Sequence, residues 1–168
     1  MIEILDDFLT PSYHKEILNF VSSGKMEWFY TPNITTLTGP ELGLHGFSSH
    51  LYDVDRETPN NPLVSLILPC LFQIQDYLNS PRIIRARLDM TLYHPYCIPH
   101  KTHTDMDIPH YSAVYYVNGS DGNTVIGDMK VAPRANRVVV FDGDIAHNGH
   151  SPCEHNNRII INSNYDVR

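Results

Sequence analysis

The sequence predicts a mainly β protein: a jelly roll (a double-stranded β-helix) with two N-terminal helices packed outside it. Three observations lead there. From residue 82 onward, short apolar or alternating runs are divided by Gly, Pro and Asn turns, as in a sandwich or barrel. Two segments of helical periodicity come earlier, which places helices on the outside of a sheet structure. A His-x-Asp tripeptide, His103-Thr104-Asp105, stands near the start of the strand-rich half. The 168 residues fit one domain, 1–168, and are enough to bury a core without staples.

In chain order, residues 2–5 form a short apolar strand. Thr10-Pro11 reads as an N-cap followed by Pro at the first helical position, and Tyr13, Ile17, Phe20 and Val21 share one helical face, ended by Ser22-Ser23-Gly24. Residues 28–30 suit a strand. Residues 31–46, rich in Thr, Pro and Gly, read as a long loop, the kind of segment that is functional or disordered in compact domains. Residues 46–53 form another strand. Asn61-Pro62 repeats the cap signature, and Leu63, Ile67, Leu71, Ile74 and Leu78 mark a second amphipathic helix that Pro69 should kink or split.

Strands then follow at 82–93, where apolar residues alternate with Arg85, Arg87, Asp89, Thr91 and Tyr93, and at 110–118 before an Asn-Gly-Ser-Asp-Gly turn. Short strands at 124–126 and 130–132 lead to a central, nearly all-apolar strand at 137–141, and the last strand spans 158–165.

The formal net charge of −7 argues against a broad phosphate-binding face and hence against nucleic acid. Cys70, Cys97 and Cys153 are odd in number and lack C-x-x-C spacing. The expectation is reduced thiols in a cytoplasmic protein, with neither a disulfide framework nor structural zinc. The first residues lack the basic and apolar regions of a signal peptide, and no window is long and apolar enough to span a membrane.

In an extended strand His103 and Asp105 point to one face, which makes two thirds of the 2-His-1-carboxylate triad of non-haem Fe(II) oxygenases. The same tripeptide also suits a surface loop. The missing ligand is a distal His. His147, after an apolar strand and a tight turn, is preferred; His150 is the second choice; His155 reads as a solvated loop residue. Arg158, opening an apolar strand, needs an anionic partner, either an Asp or Glu at the rim or a ligand carboxylate that suits its planar fork.

Together, Tyr93, His103-x-Asp105, Ser112-Ala-Val-Tyr-Tyr-Val-Asn118, Phe141…His147 and Arg158 resemble, in order and spacing, the 2-oxoglutarate/Fe(II)-dependent dioxygenases, especially their prolyl-4-hydroxylase-like branch. The resemblance covers residues 82–166, and Ile4-Leu-Asp-Asp-Phe-Leu9 is similar to the start of many members. It implies Fe(II) on His103, Asp105 and His147, and 2-oxoglutarate as co-substrate with its distal carboxylate on Arg158. It further implies hydrogen bonding by Tyr93 to that carboxylate, with Tyr116 and Ser112 at the co-substrate pocket. On the residues alone, Tyr93, Tyr115 and Tyr116 are ordinary strand aromatics. The sequence departs from many relatives at Ile160, where they carry Ser or Thr, and at Gly122-Asn-Thr124 after the turn.

The resemblance implies a dioxygenase that uses O2 to hydroxylate a C–H bond of a peptide, protein or small-molecule substrate, with a prolyl residue as the family-level expectation. Two alternatives stay open: a non-catalytic jelly-roll binding module, and a cupin-like metalloenzyme without 2-oxoglutarate. Trp28, Tyr30, His45, His50 and the 31–46 loop are candidates for a lid or substrate wall, as are Arg56, Asp107 and His110 for substrate contact; each also suits an ordinary core or surface role.

Overall fold

The computed structural model describes residues 1–32, 34 and 44–167. In chain order these form β1 (Ile2–Leu5), α1 (Pro11–Val21), β2 (Phe29–Thr31), β3 (Gly46–Asp53), α2 (Pro62–Leu78), β4 (Ile83–Leu92), β5 (His110–Tyr116), β6 (Thr124–Ile126), β7 (Met129–Val131), β8 (Arg137–Asp142), β9 (His147–Gly149) and β10 (Asn157–Asp166). The strands make two antiparallel sheets. The larger has the order β1-β8-β5-β10-β4-β3-β2 and the smaller β7-β6-β9. A mainly β chain with two helices and two antiparallel sheets is consistent with a jelly roll.

Strand alternation divides the core into two layers. On one face of the large sheet, Leu88, Val138, Val140, Ile159, Ile161 and Tyr165 pack against the helices through Ile17, Val21, Ile67 and Leu71. On the other face, Val114, Tyr116, Val139, Phe141 and Ile160 meet Ile126 and Val131 of the small sheet. The period of two thus turns Arg158, Ile160, Asn162 and Asn164 of β10, and Arg85, Arg87, Asp89 and Thr91 of β4, into the space between the sheets. The polar side of β4 is therefore the wall of an internal site.

Asn61 caps α2 by accepting from the Val64 N–H at 2.9 Å, whereas the Thr10 side chain makes no capping bond to α1. Pro69 does not split α2, which runs unbroken from Pro62 to Leu78. Tyr13 of α1 supplies the reason. Its hydroxyl donates to Leu66 O at 2.6 Å and accepts from Cys70 N at 3.0 Å, bridging two groups that would bond each other in an uninterrupted helix. Burial pushes the Tyr13 phenol up to about 12, so it keeps the proton it donates. Tyr115 has a comparable structural task, donating to Asn136 Oδ1 at 3.0 Å while Asn136 also bonds both backbone groups of Leu9.

The strand β9 was not anticipated from sequence; at three residues it is too short to show a period. The expectation of three reduced thiols is also corrected: Cys97 and Cys153 form a disulfide, leaving Cys70 buried as a free thiol. Their spacing of 56 residues carries no local signal, because the fold brings two loops together. Backbone bonds join the same loops, from His94 N to Pro152 O, His100 N to Gly149 O and Ser151 N to Ile98 O. No described helix is long and apolar enough to cross a membrane. The expected 31–46 loop lies mostly outside the described residues.

Candidate metal and co-substrate site

His103 and His147 are brought together by backbone pairing. Each donates its N–H to the other's carbonyl at 2.9 Å, forming an isolated antiparallel bridge that extends the small sheet beyond β9. Residues paired in this way carry their side chains on the same face. The two imidazoles lie with ring centres 4.7 Å apart, and the Phe141 ring packs edge-on against His147. The simple strand expectation for His-x-Asp is amended here. Only His103 is in a bridge; Asp105 lies in a bend, turned toward the large sheet.

The Asp105 carboxylate approaches both imidazoles. Oδ1 is 3.9 Å from His103 Nε2, and Oδ2 is 3.7 Å from His147 Nε2. One ligand atom from each of the three residues falls within 4.8 Å of the other two, a spacing that could hold a metal ion. Both imidazoles are preset for that use. His103 Nδ1 lies 3.0 Å from Lys101 O, and His147 Nδ1 lies 3.1 Å from Ile145 O. A carbonyl only accepts, so Nδ1 carries the proton in each ring and the Nε2 lone pair is left for the site. Asp105 Oδ2 accepts from Ser112 Oγ at 3.0 Å and Asn164 Nδ2 at 2.9 Å, which fixes the carboxylate plane. Burial opposes ionisation of Asp105, but His147, Asn164, Arg85 and Ser112 outweigh it and hold the carboxyl below its usual range. Burial also lowers the His147 pKa against the pull of Asp105, favouring the neutral imidazole that a metal needs.

His150 and His155 stand apart from this group. An odd offset from His147 along extended backbone turns His150 to the other side, where its N–H bonds Asn123 O. His155 is half-exposed and pairs with Asp121 at 2.9 Å.

Arg158 closes the other end of the same cavity. It is 4 % exposed. Its Nη2 donates to Thr124 Oγ1 at 2.6 Å, and its guanidinium carbon lies 5.7 Å from the Tyr116 ring centre. Nε has no partner, and among the described residues no carboxylate lies in ion-pair range. Burial lowers the pKa of Arg158, against Tyr116 and the more distant Asp89. A side chain at position 149 would crowd it, since a Cβ there would sit 3.3 Å from Arg158 Nη1; Gly149 leaves this space open.

The other expected residues divide. Tyr116 is fully buried and donates to Thr124 Oγ1 at 2.7 Å, so it supports the arginine from below. Ser112 is spent on Asp105 and Asn164. Tyr93 is corrected: β4 ends at Leu92, Tyr93 is 52 % exposed, and it does not line the cavity. Its N–H bonds Asn156 O as the chain leaves the sheet. Of the candidate substrate contacts, Tyr30 is exposed on the edge strand β2, and the His110 ring packs over Gly143.

Sequence reasoning passed over Thr124, His100, Arg87, Asp89, Asn162 and Asn164. The alternation of β4 and β10 already put four of them on a polar face, but a polar face usually means solvent. His100 carried no local pattern. It is 5 % exposed, lies 3.2 Å from Ser151 Oγ, and is pulled down to about 3 by burial, with Arg158 adding to the effect.

This geometry belongs to a jelly roll with a His-Asp-His cluster at one end of a cavity and a buried arginine at the other. No family model and no curated protein matches the sequence. Solved structures do match, and they define the fold as that of the 2-oxoglutarate/Fe(II) oxygenases. One is the viral collagen prolyl hydroxylase of Paramecium Bursaria Chlorella virus-1 in its 2-oxoglutarate complex, with TM-score 0.63 and 13% identity over 99% of this chain and 96% of that one. A second is a prolyl hydroxylase from Trichoplax adhaerens in complex with a hypoxia inducible factor peptide fragment, with TM-score 0.67 and 14% identity over 98% and 83%. A third is an oxidoreductase of the 2OG-Fe(II) oxygenase family from Burkholderia pseudomallei, with TM-score 0.69 and 14% identity over 98% and 84%.

Proposed function

We propose that this protein is an Fe(II)- and 2-oxoglutarate-dependent dioxygenase that hydroxylates a C–H bond, with a prolyl residue of a peptide or protein as the first substrate class to test. The observation that carries the reading is the buried Arg158, without a carboxylate partner among the described residues, in one cavity with His103 and His147, the two imidazoles that Asp105 joins in the ligand cluster. A buried guanidinium is costly without an anion. A dicarboxylate that reaches from the ligand cluster to Arg158 provides one.

Two imidazole Nε2 atoms and one carboxylate on one side of a space are the donor set that suits Fe(II), and they leave coordination positions open. When bound there, Fe(II) with 2-oxoglutarate and O2 supplies the oxidative chemistry. The chain supplies geometry. Lys101 O and Ile145 O orient the imidazoles, and Ser112 and Asn164 orient Asp105. Thr124 and Tyr116 hold Arg158, so the arginine sets how far the co-substrate lies from the ligand cluster. Val114 and Ile160 give the cavity apolar walls that limit water.

The test is anaerobic. Fe(II) and then 2-oxoglutarate are added to purified protein while the visible spectrum is followed. Chelation of a 2-oxoacid by Fe(II) gives a weak metal-to-ligand charge-transfer band, expected here and expected to vanish in His103→Ala. Metal binding without a band favours a cupin-like enzyme that does not use 2-oxoglutarate. Binding of neither leaves a non-catalytic jelly roll and defeats the proposal.

A further inference from the structure

Arg158 is not the only guanidinium facing the space between the sheets. Arg85 and Arg87 stand on the same side of β4, followed by Asp89 and then Thr91, the register partner of Arg158. Arg85 is committed: Nε and Nη2 donate to Asn164 Oδ1 at 3.3 and 3.1 Å, and Nη2 lies 3.5 Å from Asp105 Oδ1. Arg87 is not. Its Nε pairs with the Asp89 carboxylate at 2.7 Å, but neither Nη has a hydrogen-bond partner among the described residues. The side chain is 45 % exposed, while Asp89 beneath it is largely buried.

The neighbours of Arg87 are equally unpartnered. Across the sheet its register partners are Asn162 on β10 and His50 on β3. Residues directly opposite share a face. Asn162 Oδ1 and His50 Nε2 are both buried with no hydrogen-bond partner among the described residues. Asn162 Oδ1 and the two Nη atoms of Arg87 thus stand side by side with bonding capacity to spare, while His50 lines a separate pocket with Phe20, Met26 and Leu63. Arg87 and Asn162 line the same cavity as His103, His147 and Arg158. Arg87, Asp89 and Ile34 also line an adjoining hollow toward Phe47, so Arg87 stands where the two spaces meet.

The fixed charges around this space are Arg85, Arg87 and Arg158 against Asp89 and Asp105. If Arg158 takes the distal carboxylate of 2-oxoglutarate and Asp105 a metal, Arg87 is the cation that still presents a free planar fork. We infer that Arg87, beside Asn162, is the specificity determinant for the substrate and receives a carboxylate of it. That group is either the free carboxylate of a small acid or an acidic side chain of a peptide. The inference rests on the co-substrate reading of Arg158, since otherwise Arg87 and Arg158 would compete for one anion.

The test uses anaerobic protein loaded with Fe(II) and 2-oxoglutarate, with binding read by calorimetry and by displacement of the charge-transfer band. Two sets of probes are compared. One pairs N-acetyl amino acids with their amides. The other pairs terminally blocked Gly-Pro-Asp-Gly with Gly-Pro-Asn-Gly. A carboxylate should bind at least about tenfold more tightly than its neutral partner, and the set that responds identifies the source of the carboxylate. Arg87→Lys keeps the ion pair with Asp89 but loses the fork; it and Arg87→Gln should weaken that binding by about tenfold or more while leaving the 2-oxoglutarate band in place. Equal binding of acid and amide, no response to any carboxylate, or full retention in Arg87→Gln overturns the assignment. If the band itself never forms, the co-substrate reading has failed, and calorimetry on the same protein still decides whether Arg87 takes carboxylates.

Discussion

Replacing Arg158 by Met should make the unliganded protein more stable and incapable of binding 2-oxoglutarate. The guanidinium is 4 % exposed, donates to Thr124 and lies against Tyr116, with no carboxylate in ion-pair range among the described residues. Taking such an ion out of water costs several kcal/mol even after relaxation. One charge-assisted hydrogen bond returns about 2 kcal/mol, and the cation–π contact about 1 kcal/mol. Arg158 therefore destabilises the empty fold by roughly 1–2 kcal/mol, and a flexible apolar side chain of similar length should recover that amount. For a chain of this size, about 2–4 °C per kcal/mol gives a melting temperature about 2–8 °C above the parent. Ligand should reverse the order. With Mn(II) as a redox-quiet substitute and 2-oxoglutarate at a hundred times its Kd, the parent gains about 2.7 kcal/mol, whereas the variant gains nothing. Thermal melts with and without 2-oxoglutarate read both effects. A variant that melts below the parent, or that keeps the 2-oxoglutarate shift, refutes the assignment of Arg158 as the group that receives an anion.

Three further outcomes are expected. His147→Ala should weaken Fe(II) or Co(II) binding more than about 100-fold, beyond the loss typical of an outer-shell partner, while His150→Ala changes it little; the reverse order in a metal titration would move the third ligand to His150. His100 is held neutral in the fold, with its pKa near 3, while the unfolded chain takes up its proton below about 6.5. Stability should thus be complete above that pH and fall between 6.5 and 3, by up to about 1.4 kcal/mol per pH unit from this group. Urea midpoints at pH 7.5 and 5 should differ less in His100→Gln, and an unchanged slope would count against its burial as a neutral ring. Tyr13→Phe removes the hydroxyl that links Leu66 O to Cys70 N beside Pro69 and strands both groups, at a cost of about 1–3 kcal/mol in chemical denaturation; a neutral result would mean that water replaces the hydroxyl.

Periodicity and turn chemistry made much of this fold legible. The two helices, the strands Ile2–Leu5, Gly46–Asp53 and Thr124–Ile126, and the two-sided burial of β8 could all be read from local pattern. What local pattern could not hold was partnership between distant segments. Nothing near Pro69 announces that Tyr13 will bridge the gap it makes, and nothing near Cys97 points to Cys153. The site shows the same division. His103, Asp105, His147 and Arg158 were legible because their residue types and order are chemically unusual. The polar sides of β4 and β10 were not, because an alternating strand does not say whether its polar face meets water or a cavity. Tyr93 was misplaced by one strand boundary: a residue just beyond the end of β4 no longer follows the alternation that directs Thr91 inward.

The disulfide has a consequence for how the candidate metal ligands find one another. His103 and His147 are 44 residues apart along the backbone, but each lies only six residues from a cysteine of the Cys97–Cys153 pair. All three candidate ligands therefore lie on one covalent ring, and Arg158 lies outside it. With the bond closed, an unfolded chain still holds both histidines near a common junction, and closing a ring of 56 residues withdraws about 4 kcal/mol of freedom from that disordered state. Reduction opens the ring without touching a ligand. The same folded site would then have to be gathered from an open chain, so the redox history of the protein should show in how readily it regains metal after unfolding, even where the two native states bind it equally well.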